Sequence, residues 1–302
     1  MSREAKSRQT RLAHLLLDAF AALPLRANHA LGSLIGRIAT LVPSRMRHVT
    51  RRNLALCFPA MSERERLRLE RQSLIETGKT LTEVGPLWRW PRERLLEIVR
   101  EAPGLELVEQ ARAEGHGVIL LGPHIGAWEL VGLYASIRWP MTSLYKPPKQ
   151  AAMEVPMREA RERLGATLVP TDASGVKALL QALKRGEVIG ILPDQEPTDG
   201  QGVFAPFLDQ PAYTMVLASR LAGRGTARAF FTFAERLPRG EGFRLHFIPA
   251  EEDFYSADIE TSAAALNRGV EACIRIAPAQ YQWSYKRFRR RPEGLGLSLI
   301  HI

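Results

Sequence analysis

Two residues in the sequence are spaced to move a proton: His124 and Glu129, within LLGPHIGAWEL at 120–130. A hydrophobic run ends at Gly122-Pro123, the histidine follows at once, and the carboxylate comes five residues later. On a regular helix five residues rotate by about 500°, so these side chains would not share a face. They meet only if His124 sits in the turn before a helix and Glu129 points back from its first turns. Pro123 and Gly126 suit a tight strand-to-helix turn of that kind. The imidazole then stands at the carboxyl end of a strand, where ligands of α/β proteins bind. Glu129 is expected to hold one ring nitrogen and leave the other free as a general base. The plainer reading of such a pair is a surface or helix-capping contact; the strand-end setting argues against it.

Other chemistries lack their residues. The histidines, at 14, 29, 48, 116, 124, 246 and 301, are scattered without HExxH or paired-ligand spacing, so no metal is expected. No nucleophile elbow, phosphate loop or dinucleotide fingerprint is present, and no cofactor is called for. The two cysteines, Cys57 and Cys273, exclude a disulfide scaffold and a thiolate zinc site.

Charge points to a partner. The chain has 302 residues and a formal net charge of +10, with 45% hydrophobic and 25% charged residues. That composition is ordinary for a globular protein with a substantial core. Ten Arg or Lys stand against Glu4 and Asp18 in residues 1–52, and five more stand against Glu293 in 286–302. A slightly acidic body with basic ends suits an anionic partner: nucleic acid, acidic lipid or an acidic carrier protein. The first apolar stretch is broken by Asp18, Pro24, Arg26 and Arg37, which argues against a signal peptide and against an ordinary spanning helix, with a spanning anchor standing as the alternative to a segment lying on the membrane. Leu12, Leu15, Leu16, Phe20 and Leu23 recur at helical spacing, as in a basic amphipathic helix lying in a membrane interface. A core-packing helix would show the same spacing.

The elements that must position His124 follow from periodicity. Residues 62–98 read as helix behind an N-cap-like Ser62 with Glu65 three residues on. Short apolar runs at 117–123, 142–146, 167–170 and 187–193 read as buried strands. Between the last two, Val176, Leu179, Leu180 and Leu183 mark a helix capped by Thr171 or Asp172. Strands alternating with helices imply an α/β fold with a mixed, mostly parallel sheet flanked by helices. Runs at 227–237 and 243–250 look like an antiparallel pair at one edge, and a helix over 258–277 closes the fold. The boundaries are an N-terminal membrane-associating segment, 1–60, and a catalytic domain, 61–302.

His-x4-Glu in this setting resembles the HX4(D/E) signature of lipid acyltransferases. Together with RRNLALCFP (51–59), LYKPPK (144–149), RERLGATLVP (161–170), GILPDQEPTDGQGVFAPF (190–207) and YQWSYKRFRRRP (281–292), the chain resembles the bacterial lipid A late acyltransferases. The likeness runs from about residue 10 to 292. It implies a glycerol-3-phosphate acyltransferase-like fold on the cytoplasmic face of the inner membrane. The implied donor is acyl carrier protein, and the acceptor is a hydroxyl of a lipid A precursor; a lysophospholipid or other glycolipid acceptor is the alternative, and a non-catalytic lipid-binding protein is the reading from another class. His124 is then the base and Glu129 its partner, with direct transfer and no acyl-enzyme. Substrate contacts are implied at Tyr145, Lys146, Arg161, Arg163, Asp194 and Gln195. For Arg161 and Arg163 a solvated helix face stands as the alternative, and for Asp194-Gln195 a structural role around the histidine turn. Phe204, Pro206 and Phe207 form either core or an acyl groove. The basic tail, Lys286 to Arg291, could be read as a nucleic-acid patch, but no recognisable module stands behind it, so no nucleic-acid partner is expected.

Overall fold

Three helices open the chain: α1 (Arg3–Ala22), α2 (Leu25–Leu41) and α3 (Arg45–Cys57). The structure, a computed structural model, describes residues 3–148, 153–223, 225 and 227–293. Lys149, the last residue of the LYKPPK segment, lies outside them. All three helices pack on a long fourth, α4 (Glu63–Arg89), which starts in a complete capping box between Ser62 and Glu65. The helix expected to reach residue 98 stops earlier. Trp90 precedes Pro91 and is extended, as a residue before proline is driven to be, and a separate α5 (Arg92–Glu97) follows.

The α2–α4 contact is backbone against backbone. A Cβ on Gly78 would lie 2.2 Å from the Gly32 carbonyl oxygen, so no larger residue fits there. Helix α1 buries Leu17 and leaves Leu12, Leu15 and Leu16 outside, while α2 exposes Leu34, Ile38 and Leu41, the last at 78%. The outward leucines are therefore not consumed by packing. No helix among the described residues is long and apolar enough to cross a membrane.

An alternating stretch follows: β1 (Val99–Glu101), α6 (Leu105–Ala113), β2 (Val118–Leu121), α7 (Trp128–Arg138), β3 (Met141–Tyr145), α8 (Glu154–Glu162), β4 (Ala166–Pro170), α9 (Ala173–Lys184) and β5 (Val188–Ile191). Asp172 caps α9 by accepting from the Ser174 and Gly175 amides. Then come a hairpin, β6 (Gly202–Phe207) and β7 (Gln210–Met215), the short α10 (Leu217–Ala222), β8 (Arg228–Arg236), β9 (Phe243–Pro249) and α11 (Ile259–Ile276).

The seven-stranded sheet has the order β1-β9-β8-β2-β5-β3-β4. Strands β2, β3, β4, β5 and β8 run parallel, and β9 is antiparallel to β8. The sheet is thus mixed and mostly parallel, with helices on both faces, as the alternating runs imply. The β8–β9 pair is not a simple edge addition, because β8 pairs in parallel with central β2 while β1 lines the outside of β9. Strand β2 is buried at all four positions, the continuous apolar run of a strand covered on both faces. One core layer packs α6 and α7 against Leu120, Val188 and Met141; the other packs α9 and α11 against Ile119, Ile189 and Ile191.

Candidate active site

Strands β2 and β5 are neighbours, with Leu121 opposite Ile191. Each runs on into a proline and then a polar residue: Gly122-Pro123-His124 after one, Leu192-Pro193-Asp194 after the other. Three residues beyond matched positions, His124 and Asp194 meet. His124 Nδ1 lies 2.8 Å from Asp194 Oδ1, and the His124 amide donates to Asp194 Oδ2 at 3.0 Å. The His124 side chain is 10% exposed and that of Asp194 3%. Burial works to raise the Asp194 carboxyl, but the charge and hydrogen bonds of His124 outweigh it and hold the group below its ordinary range. An ionised Asp194 fixes the proton on Nδ1 and leaves Nε2 as the acceptor. Gln195 Nε2 sits 3.2 Å from that nitrogen and also donates to Gln282 Oε1 at 3.3 Å.

The geometry corrects the expected pairing. Glu129, in the first turn of α7, takes its hydrogen bonds from two other donors, and His124 acts on it only through charge. It takes Arg161 from α8 as a bidentate partner, through Nε at 3.1 Å and through Nη2, and Trp88 Nε1 from α4 at 3.3 Å. Burial would push its carboxyl up; the Arg161 charge and hydrogen bonds bring it below the usual value. Spacing in the sequence suggested a His–Glu pair, but a guanidinium reaching in from another helix satisfies both carboxylate oxygens.

The turn carrying His124 is fastened from several sides. Gly126 adopts φ +58°, and a Cβ there would come within 2.0 Å of the Ala234 carbonyl oxygen, so glycine is required. The Gly126 amide donates to Gln280 O at 3.0 Å, the Ala127 amide to Ala234 O at 2.9 Å, and the Gln282 amide to His124 O at 3.0 Å. Arg236 Nη2 reaches the Gly126 carbonyl at 2.9 Å. Beside the turn, Trp128 stacks obliquely on the imidazole at 5.2 Å.

A cavity of about 860 Å³ opens here, lined by Gly122, Trp128, Glu129, Lys146, Arg161 and Gln195 among others. Of the sequence-derived contacts, Lys146, Arg161 and Gln195 therefore face the same space. Arg163 does not. Its guanidinium donates to the Leu87 and Trp90 carbonyls at 3.1 and 2.7 Å, closing the end of α4. Tyr145 is buried outside the lining, with Arg158 4.8 Å above its ring. Phe207 is core, packed near Tyr281 and Phe288, and neither it nor Phe204 or Pro206 lines the cavity.

Three arginines of the basic tail are spent internally. Arg287 is buried and donates to Tyr213 O and Thr214 Oγ1; Arg289 pairs with Glu196 at 3.2 Å and Arg290 with Asp199 at 2.6 Å. The tail straps down the loop that carries Asp194 and Gln195. Sequence reading placed Asp194 near the turn without seeing it as the histidine's partner. The usable signal was the repeated pattern of apolar strand, proline and polar residue at 120–124 and 190–194.

A positioned imidazole–carboxylate pair beside a large, partly apolar cavity at the carboxyl edge of a mostly parallel sheet has the features of an active site in an α/β enzyme. The chain belongs to the bacterial lipid A biosynthesis acyltransferase family, whose sequence profile matches residues 4–290. It is 31% identical over 274 residues to a lipid A biosynthesis lauroyltransferase of Escherichia coli (strain K12), spanning 90% of this chain and 89% of that one. A palmitoleoyltransferase of the same organism is 31% identical over 265 residues, 87% and 85% of the two chains. A myristoyltransferase is 26% identical over 261 residues, 86% and 80%. The protein is an O-acyltransferase of lipid A biosynthesis.

Proposed function

We propose that the protein transfers a fatty acyl chain from acyl carrier protein to a hydroxyl of a lipid A precursor at the cytoplasmic face of the inner membrane. The observation that carries this reading is the 2.8 Å bond between His124 Nδ1 and Asp194, which leaves Nε2 to Gln195, a residue of the cavity wall. As the acceptor hydroxyl attacks the thioester carbonyl, His124 Nε2 takes its proton, and Asp194 stabilises the imidazolium. The C–S bond breaks, and the proton passes from His124 to the departing thiol. Gln195 yields Nε2 to the incoming hydroxyl. Arg161, held by Glu129, offers its charge to the carbonyl oxygen as that oxygen becomes an oxyanion. No acyl-enzyme is required: Cys57 and Cys273 are both buried, and burial pushes the Cys273 thiol up to about 12.

Membrane association rests on the outward leucines of α1 and α2 beside the many arginines of residues 1–52. The test uses purified protein with acyl carrier protein and coenzyme A donors over a salt series, and a lipid A precursor or a lysophospholipid as acceptor. The expected outcome is salt-sensitive transfer from the carrier protein to the precursor. Transfer to the lysophospholipid alone would overturn the acceptor; equal use of both donors without a salt effect would overturn the donor. Replacing Leu15, Leu34 and Leu41 with serine should release the protein from vesicles of anionic phospholipid, and unchanged binding would remove these helices from the membrane contact.

A further inference from the structure

Both faces of the sheet supply residues to the cavity beside His124, and its lining divides on that basis into two arms. One lies beneath α7, with Gly190, Ser143 and Met141 as its floor and Gly132, Ser136 and Met157 overhead. The other lies between the sheet and helices α9 and α10, past Val176 and Arg220. The geometry points to the arm beneath α7 as the binding site of the donor's acyl chain, sized for about ten to twelve saturated carbons. This rests on the acyl-transfer reading above.

Four observations carry it. First, Glu129, Gly132 and Ser136 fall on one stripe of α7, so the roof is small just where the charged mouth ends. A Cβ on Gly132 would have no neighbour within 4 Å, so the space below it is open. Second, the arm has an end. The Met141 side chain lies across Gly190, whose Cβ would fall 2.5 Å from Met141 Cε, and Ser136 Oγ closes on the Gly132 carbonyl at 2.7 Å and on Met141 Sδ at 3.6 Å. Third, polarity is graded. Thr232, adjacent to Gly122 across the β2–β8 pairing, is fully buried and lines the cavity, and its hydroxyl has no partner among the described residues. A buried hydroxyl of that kind wants an acceptor, and the thioester carbonyl must come to this level to stand beside His124. Fourth, the register sets the depth. Met141 is level with Val188 and Val118, four strand positions below Gly122, which is about 13 Å and room for roughly ten to twelve extended carbons. A precursor with several chains and phosphates does not fit a roofed slot; a single unbranched chain does.

Two measurements test the assignment. Dodecanoyl acyl carrier protein bearing a diazirine on its terminal carbon is photolysed on the unmodified protein, and the labelled peptides are mapped. Label in α7 and β3 is expected; label confined to α9 and α10 overturns the proposal. Transfer efficiency is then measured with donors of eight, ten, twelve and sixteen carbons. Ser136→Leu, about 10 Å along α7 from Glu129, should lower the twelve-carbon efficiency by about 10- to 100-fold and leave the eight-carbon donor within about twofold, since a few methylenes in an apolar pocket discriminate on that scale. Met141→Ala should improve the sixteen-carbon donor by about tenfold. Folded variants with unchanged chain-length profiles overturn the assignment. Label in α7 without transfer to a lipid A precursor would fail the acyl-transfer reading and keep the arm; transfer with label in the other arm would do the reverse.

Discussion

Two buried histidine–carboxylate pairs, His124–Asp194 and His29–Glu83, differ in what closes around them. Both are near-ideal contacts, 2.8 and 3.2 Å, between side chains hidden from solvent. At His29 the carboxylate is shared: Arg236 donates to Glu83 through both Nε and Nη2, and Phe243 stands edge-on to the imidazole at 5.8 Å. Neither His29, Glu83 nor Arg236 lines the active-site cavity, and the charges of the pair are balanced on the spot. At His124 the carboxylate serves one imidazole, and the residues around the opposite ring nitrogen line an 860 Å³ cavity. A His–carboxylate contact is therefore not a site by itself. The open side makes it one.

The comparison breaks first on activity. His124→Ala should lower single-turnover transfer by about 10²–10⁴-fold with the fold intact, whereas His29→Ala should leave turnover within about tenfold and cost stability instead. Asp194→Asn should fall in the His124 range, because an amide no longer fixes the Nδ1 proton or stabilises the imidazolium. The two act as one unit, so the double variant should be little worse than either single variant. Full activity in a folded Asp194→Asn protein would return the orienting role to another group.

Much of the scaffold behind this site is legible in the sequence. The apolar strands, the Ser62 cap, the α9 stripe with Asp172 and the His124 strand end all rest on local pattern, which short-range physics controls. What local pattern does not carry is which strand lies beside which. The order β2-β5-β3 brings Asp194 to His124 across 70 residues, and α8 brings Arg161 to Glu129 across 32. The same limit explains the tail. Lys286 to Arg291 reads as a free basic patch until the loop bearing Glu196 and Asp199 is folded against it.

Stability gives the next contrast. Arg236 joins β8 to Glu76, Thr80 and Glu83 on α4 and to the Gly126 carbonyl of the histidine turn. Arg236→Met should cost about 3–5 kcal/mol in denaturant unfolding, because it strands a buried carboxylate. Burial alone would raise Glu83, but Arg236 and then His29 hold its carboxyl down at about 2. A depressed carboxyl stabilises the fold above its unfolded value and loses that contribution as pH falls through the folded one. The deficit of Arg236→Met should accordingly narrow as pH drops from about 4.5 towards 2, where the wild type also protonates Glu83. A deficit that does not change with pH would mean that packing, not charge, dominates at Arg236.

The smallest effect sharpens the assignment of the two active-site carboxylates. Glu129 touches Arg161 and Trp88, so its removal should act through the placement of Arg161 and not through proton transfer. Glu129→Gln keeps the shape, removes the counter-charge and should lower kcat/KM by about 10- to 100-fold, equivalent to about 1.4–2.8 kcal/mol. Two double-variant cycles separate the roles. Losses from Glu129→Gln and Arg161→Lys should overlap, because those side chains form one bidentate unit that lysine cannot reproduce. Losses from Glu129→Gln and Asp194→Asn should multiply, because one carboxylate sets the cation at the mouth and the other sets the imidazole. The pH dependence of turnover adds a second readout: Asp194→Asn should displace the limb assigned to His124, and Glu129→Gln should leave it nearly in place. If instead Glu129→Gln moves that limb as far as Asp194→Asn does, Glu129 acts directly on the imidazole, and the pairing suggested by His-x4-Glu spacing is restored in the working enzyme.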